Sequence, residues 1–168
     1  MRGVPLYGVL VGLEIDGQVQ VGAAYFPAMG ELISAATGLG CYWNGRPARV
    51  STISQLRQAF VSCTDPGSFY KYGRHKVFKR LALASYFRAG WGDAYGYLLV
   101  ATGRVEVMLD PVMHIWDCGP FPPIFREAGG YFGDWQGNET IYAGEAMATN
   151  GVLLPQVLAI MQNKKESI

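Results

Sequence analysis

The sequence predicts an α+β fold, an antiparallel meander followed by a βαβ-like half. Three observations carry this. The dipeptides Asp16-Gly17 and Asn44-Gly45 each sit between strand-like runs, where residues that accept positive φ close tight hairpins. Beyond residue 64, short apolar runs alternate with stretches of helical periodicity, the pattern of strands connected through helices. No repeat, linker or low-complexity tract interrupts the 168 residues, a length that one core serves well.

In chain order, residues 9–15 (VLVGLEI) and 19–25 (VQVGAAY) make the first predicted hairpin, both rich in residues that suit a pleated surface. Residues 31–36 add a strand, and Gly38-Leu39-Gly40 leads into residues 41–43, which Asn44-Gly45 turns back. Residues 51–58 are too short and polar to assign. Residues 60–64 (FVSCT) read as a buried strand ended by Asp65-Pro66-Gly67. Residues 76–86 line up Val77, Leu81, Ala84 and Ser85 along one side of a helix. A second helix covers 95–102 and stops at Gly103, and a short strand follows at 105–109. One unbroken helix is predicted over 115–128, stopped by Gly129-Gly130, then a strand at 146–149 and a last helix at 154–162. The expected division is an antiparallel β part over residues 1–64 and an α/β part over 65–168, folded as a single compact unit.

Half of the residues are hydrophobic and 16% are charged, and the mean hydropathy is +0.12. This excludes a disordered chain and leans slightly more apolar than an average domain. No apolar run approaches the roughly 18 to 20 residues of a membrane span, and no signal-type region opens the chain, so a cytoplasmic protein without a membrane partner is expected. A net charge of +1 with scattered signs gives no footprint for nucleic acid, and the basic stretch at 71–80 (KYGRHKVFKR) reads as a solvated helix face. Cys41, Cys63 and Cys118 are odd in number and far apart, which points to free buried thiols rather than a disulfide framework. His75 and His114 have no second ligand at zinc spacing.

Three acids could carry chemistry. Asp117 falls near the start of its predicted helix, where unpaired N–H groups and the positive end of the dipole favour a carboxylate; a plain helix cap is the competing reading. Asp110 closes the VEVML strand just before Pro111. A strand ending in one carboxylate and a helix beginning with another can converge at one mouth of an α/β layer. Two such acids suit a hard divalent cation or a cationic substrate. Asp93 follows Gly90-Trp91-Gly92, a loop whose glycines let the backbone approach a ligand closely. Trp91 offers stacking or a cation–π contact, with core packing as its alternative.

The stretch WDCGPFPPIFREAGG, residues 116–130, resembles the C-terminal signature of the inositol monophosphatase family, in which Trp-Asp opens a helix and Glu-Ala-Gly-Gly closes it. Tyr25 to Pro27 with Glu31, Gly38, Gly40, Asn44-Gly45 and the LVATG run ending at Gly103 fall in the same order as in that family. WGDAYGYLLVATGRVEVMLDP and the later Asp134-Trp135 look most like its bacterial histidinol-phosphate phosphatase branch. The resemblance implies an αβαβα layered, sugar-phosphatase-like fold and magnesium-dependent hydrolysis of a phosphomonoester, with histidinol phosphate of histidine biosynthesis as the substrate. By position, it implies that Asp117 ligates Mg2+ and that Asp110 contacts the alcohol part of the substrate. It puts Asp93, with Trp91 and Gly92, beside the same leaving group. Histidinol carries an amino cation and an imidazole, which two carboxylates would favour over neutral inositol.

In that family an N-terminal glutamate and an Asp-Pro-Ile-Asp-Gly-Thr segment supply most of the metal ligands, and neither occurs here. The chain thus reads as the C-terminal part of such a phosphatase, N-terminally truncated, with no catalytic residue retained, weak or absent Mg2+ binding and no activity alone. An exposed edge strand, an uncovered apolar face and homo-oligomer formation are expected with it. Two other readings stay open: an inositol-phosphate or sugar-phosphate phosphatase, and a non-catalytic remnant used for association or ligand binding.

Overall fold

The structure is a computed structural model that describes residues 3–90 and 92–162. Strands β1 (Val9–Ile15), β2 (Gln18–Phe26), β3 (Glu31–Ala36), β4 (Gly40–Trp43) and β5 (Arg46–Pro47) form an antiparallel sheet in sequential order. Its hairpins close at the expected dipeptides, with φ of 51° and 76° at Asp16 and Gly17 and 47° and 76° at Asn44 and Gly45. Strand alternation buries Ala24, Phe26, Ile33, Ala35 and Cys41 on one face and leaves Val9, Val11, Leu13, Ile15, Val21 and Tyr25 exposed on the other.

The second half supplies β6 (Phe60–Cys63), α1 (Pro66–Lys71), α2 (His75–Ala84), β7 (Phe87–Gly90), α3 (Asp93–Ala101) and β8 (Val107–Asp110). It continues through α4 (Ile115–Cys118), α5 (Phe121–Ala128), β9 (Tyr131–Gly133), β10 (Ala146–Thr149) and α6 (Leu154–Gln162). Its sheet runs β7-β6-β8-β10-β9, with β6 parallel to both neighbours and β10 antiparallel to both of its own. One cluster packs the buried face of the first sheet, α3 and α5 against Met108, Phe132, Ala146 and Ala148 of the second. Another packs Val61, Val107, Leu109 and Met147 against Phe69 of α1, Leu81 of α2 and Val157 of α6. The layers are therefore sheet, helices, sheet, helices. Among the described residues, no helix lies on the outward face of the first sheet.

Several elements differ from expectation. Residues 60–63 end the first third of the chain in sequence but form an interior strand of the second sheet, between β7 and β8, because a largely buried strand suits a parallel position. Asp65-Pro66-Gly67 starts α1 instead of a loop: the Asp65 carboxylate accepts from Gly67 N at 2.8 Å, and Pro66 occupies a first-turn site where no N–H is needed. Strand β7 escaped prediction because its four residues are all exposed and show no alternation. Residues 51–58 contain a single 3₁₀ turn, Leu56–Gln58.

The helix predicted over 115–128 is two helices, broken at Gly119-Pro120. Pro120, Pro122 and Pro123 all lack the N–H that a continuous helix needs, and the second and third of them fit only in the first turn of α5. Pro122 is only half-buried, while Phe121, Pro123, Ile124, Phe125 and Ala128 carry the core face. Gly129 ends α5 in the left-handed conformation at φ 84°. The preceding Glu127 does more than terminate the helix: its two oxygens accept from Gly38 N and Gly40 N at 2.8 Å each, tying α5 to the β3–β4 turn. Glu31 ties β3 to α3 in a similar way, through the Tyr95 hydroxyl at 2.6 Å and Arg104 at 2.8 Å.

Candidate functional site

Strands β6 and β8 run parallel, so their carboxyl ends lie side by side, the usual place for a site in an open α/β sheet. Thr64 follows β6 and Asp110 ends β8. Thr64 N donates to Asp110 Oδ1 at 2.9 Å, and the Thr64 hydroxyl accepts from Asp93 N at 3.0 Å. One threonine thereby joins the end of β8 to the first turn of α3. Asp93 sits at φ 42°, a left-handed conformation that aspartate tolerates better than most residues. Its Oδ1 accepts from Ala94 N at 3.0 Å.

A cavity of about 120 Å³ opens here, lined by Thr64, Ser68, Asp93, Asp110, Pro111, Val112, Met113 and Asp117. The three aspartates singled out in the sequence therefore share one cavity, and none of its lining residues is basic. Asp117 reaches it from α4, in whose single turn it is the third residue, with His114 rather than Asp117 at the N-cap. Gly92 is buried and does not line the cavity; the space a side chain would need there is taken by Met108 and Ser62. Trp91 lies outside the described residues.

Asp110 is 3% exposed. Burial pushes its carboxyl up to about 6, while hydrogen bonds from Thr64 and from the Tyr97 hydroxyl, the latter at 3.1 Å, pull it back. Burial likewise pushes the thiols of Cys63 and Cys118 up to about 12, so all three free cysteines, Cys41 included, are inert packing groups. Sequence reasoning missed Thr64, Ser68, Met113 and Tyr97. Thr64 was read only as the last residue of a strand, Ser68 lay just past the Asp65-Pro66-Gly67 stretch read as its end, and Tyr97 was indistinguishable from core.

The donor set does not fit a magnesium centre. Among the described residues no group of three or more His, Cys, Asp or Glu side chains is placed to hold an ion. A larger groove, about 420 Å³, lies elsewhere, along β1 and the exposed Trp116 and Tyr142; Glu14 is its single acid, and it lacks convergent polar groups.

The chain matches the profile of the inositol monophosphatase family over residues 1–166. It is 38% identical to a histidinol-phosphatase of Chlorobaculum parvum, over 97% of this chain and 63% of that protein. It is 32% identical to a histidinol-phosphatase of Mycobacterium tuberculosis, over 94% of this chain and 63% of that protein. The solved structure of an inositol monophosphatase from Zymomonas mobilis superimposes with a TM-score of 0.84 at 26% identity, over 92% of this chain and 62% of that one. The chain thus spans 63% of the length of the two curated relatives. Among the described residues, no helix is long and apolar enough to cross a membrane.

Proposed function

We propose a phosphomonoesterase role for this chain, which belongs to the inositol monophosphatase family. Within that role it supplies the surface that recognises the alcohol half of the substrate, and histidinol phosphate fits that surface best. The observation that carries this reading is the convergence of Asp93, Asp110 and Asp117 on one cavity whose lining contains no cation. Such a cavity favours an ammonium or imidazolium group over neutral inositol or a sugar. In this reading Asp93 and Asp110 face the alcohol, and the close packing at Gly92 fixes the backbone that carries Asp93. A cytoplasmic setting and a small phosphorylated alcohol as partner are part of the same proposal.

The resemblance assigns Asp117 to magnesium, but among the described residues no three His, Cys, Asp or Glu side chains stand close enough to hold an ion together, a poor setting for one that keeps its waters. This polypeptide by itself is therefore expected to have no ordinary phosphatase activity. Incubating the purified chain with histidinol phosphate and Mg2+ tests this directly: turnover at an enzymatic rate, roughly 1 per second or faster, would refute it. For recognition, an NMR titration with histidinol should shift the amides of residues 64, 93 and 110, whereas inositol should not. Loss of those shifts in Asp93→Ala supports the assignment, and equal response to inositol overturns it.

A second reading, association as a homo-oligomer, is favoured by the exposed apolar face of the first sheet.

A further inference from the structure

Tyr97 is fully buried on α3, about one turn beyond Asp93. Its ring stacks on Phe121 with centroids 4.8 Å apart and meets Phe132 edge-on at 5.6 Å. These contacts fix the ring, and with it the direction of the hydroxyl. A buried tyrosine hydroxyl must find a polar partner, and this one donates to Asp110 Oδ2 at 3.1 Å. On the other side of the same carboxylate, Thr64 N donates to Oδ1 at 2.9 Å. Asp110 is thus gripped at both oxygens by donors that cannot move without disturbing the core.

We propose that Tyr97 is a positioning residue: its hydroxyl, together with the Thr64 amide, locks the plane of the Asp110 carboxylate so that the remaining lone pairs meet a cationic alcohol in the acidic cavity. The inference rests on the reading of that cavity given above. Each carboxylate oxygen can accept two hydrogen bonds, so one inward bond at each leaves one free outward. Two acceptors held in a fixed plane give a cation a prepared site, without the cost of ordering a rotating side chain on binding. The hydroxyl also keeps the carboxylate charged. The groups around Asp110 are Asp93 and Tyr97 from α3, the neutral thiols of Cys63 and Cys118 from β6 and α4, and Asp117 across the cavity. Burial and the neighbouring acids oppose ionisation, so the donors from Tyr97 and Thr64 hold the site anionic near neutral pH.

Tyr97→Phe keeps the ring and its stack and removes one oxygen. With isotope-labelled chain and histidinol as probe at pH 7, the variant should bind about threefold to tenfold more weakly, the loss expected for one ordinary hydrogen bond acting through Asp110. In carboxyl NMR its Asp110 midpoint should rise from about 6 toward neutrality, a shift that a purely structural role would not produce. Adding Tyr97→Phe to Asp110→Asn should weaken binding no further, because the effect acts through Asp110. Unchanged affinity together with an unchanged midpoint in a folded Tyr97→Phe variant overturns the proposal. Failure of the wild-type chain to bind histidinol, with the midpoint still moving in the variant, upholds the grip on Asp110 and overturns the cationic-alcohol reading instead. Should the variant unfold, the wild-type midpoint decides: a value well above 7 would show that the donors do not hold the carboxylate charged.

Discussion

Asp110 carries its negative charge in a place that disfavours it. Its carboxyl is raised from 3.8 to about 6, mainly by burial. A carboxyl that holds its proton more tightly in the folded than in the unfolded chain works against folding once ionised. Its contribution therefore weakens the fold as pH rises from about 4 through about 6, and the penalty is complete above that. Asp110→Asn removes the charge yet keeps an oxygen for one donor and an amide that the other hydroxyl can accept from. At pH 7 the variant should be more stable than wild type by up to about 3 kcal/mol, the free energy of a shift of roughly two pKa units. The gap should close toward pH 4. Urea midpoints measured at pH 7 and pH 4 check this, and a variant less stable at both would show that the carboxylate is held for structure rather than for a ligand. A residue that costs stability where it stands, in a cavity shared with two other acids, has the character of a functional group.

At the scale of elements, the position of Asp117 depends on a cross-strand pair of glycines. Gly12 and Gly22 face each other across β1 and β2, and side chains there would collide with the carbonyls of Gly119 and Pro120 in the break between α4 and α5. That close approach anchors α4, and Asp117 with it, against the first sheet. Gly22→Ala should therefore cost about 3 kcal/mol or more, since neither backbone can yield. Gly129→Ala, left-handed at φ 84° but with open space around it, should cost only about 1 to 2 kcal/mol. Denaturant midpoints of the two variants test this, and equal losses would mean that the contact at Gly22 relaxes freely. The same pair marks the limit of what the sequence revealed. Hairpin dipeptides and long periodic runs fixed β1 to β4, α3, β10 and α6 to within two residues, because their signals are local. The short exposed β7 was not legible, since a four-residue strand has no period, whereas the α4–α5 break was written in Pro120, Pro122 and Pro123 and was overridden by the apolar periodicity around them. The three aspartates could be named from motif and position, but that Thr64 and Tyr97 hold Asp110 is a fact of the packing alone.

For the whole molecule, the decisive feature is a sheet with one finished face. Val9, Val11, Leu13, Ile15, Val21 and Tyr25 are each between 41% and 59% exposed on the outward side, and they form one contiguous patch across β1 and β2. Among the described residues, β1 pairs with β2 alone, so its other edge also presents unpaired backbone groups. An uncharged face of this kind is larger than the scattered exposed side chains a monomer tolerates, and nothing in it repels a second copy of itself. The chain should therefore associate at micromolar concentrations, eluting in size-exclusion chromatography well ahead of its 18.4 kDa monomer mass. The double variant Val11→Lys with Val21→Glu places charges on the outward side, away from the core cluster. It should restore a monomer with unchanged secondary structure, because those side chains contribute to the exposed face and not to the packing beneath it. A wild-type chain that runs as a sharp monomer at all concentrations would mean that the exposed face is tolerated by itself, and would remove the case for association.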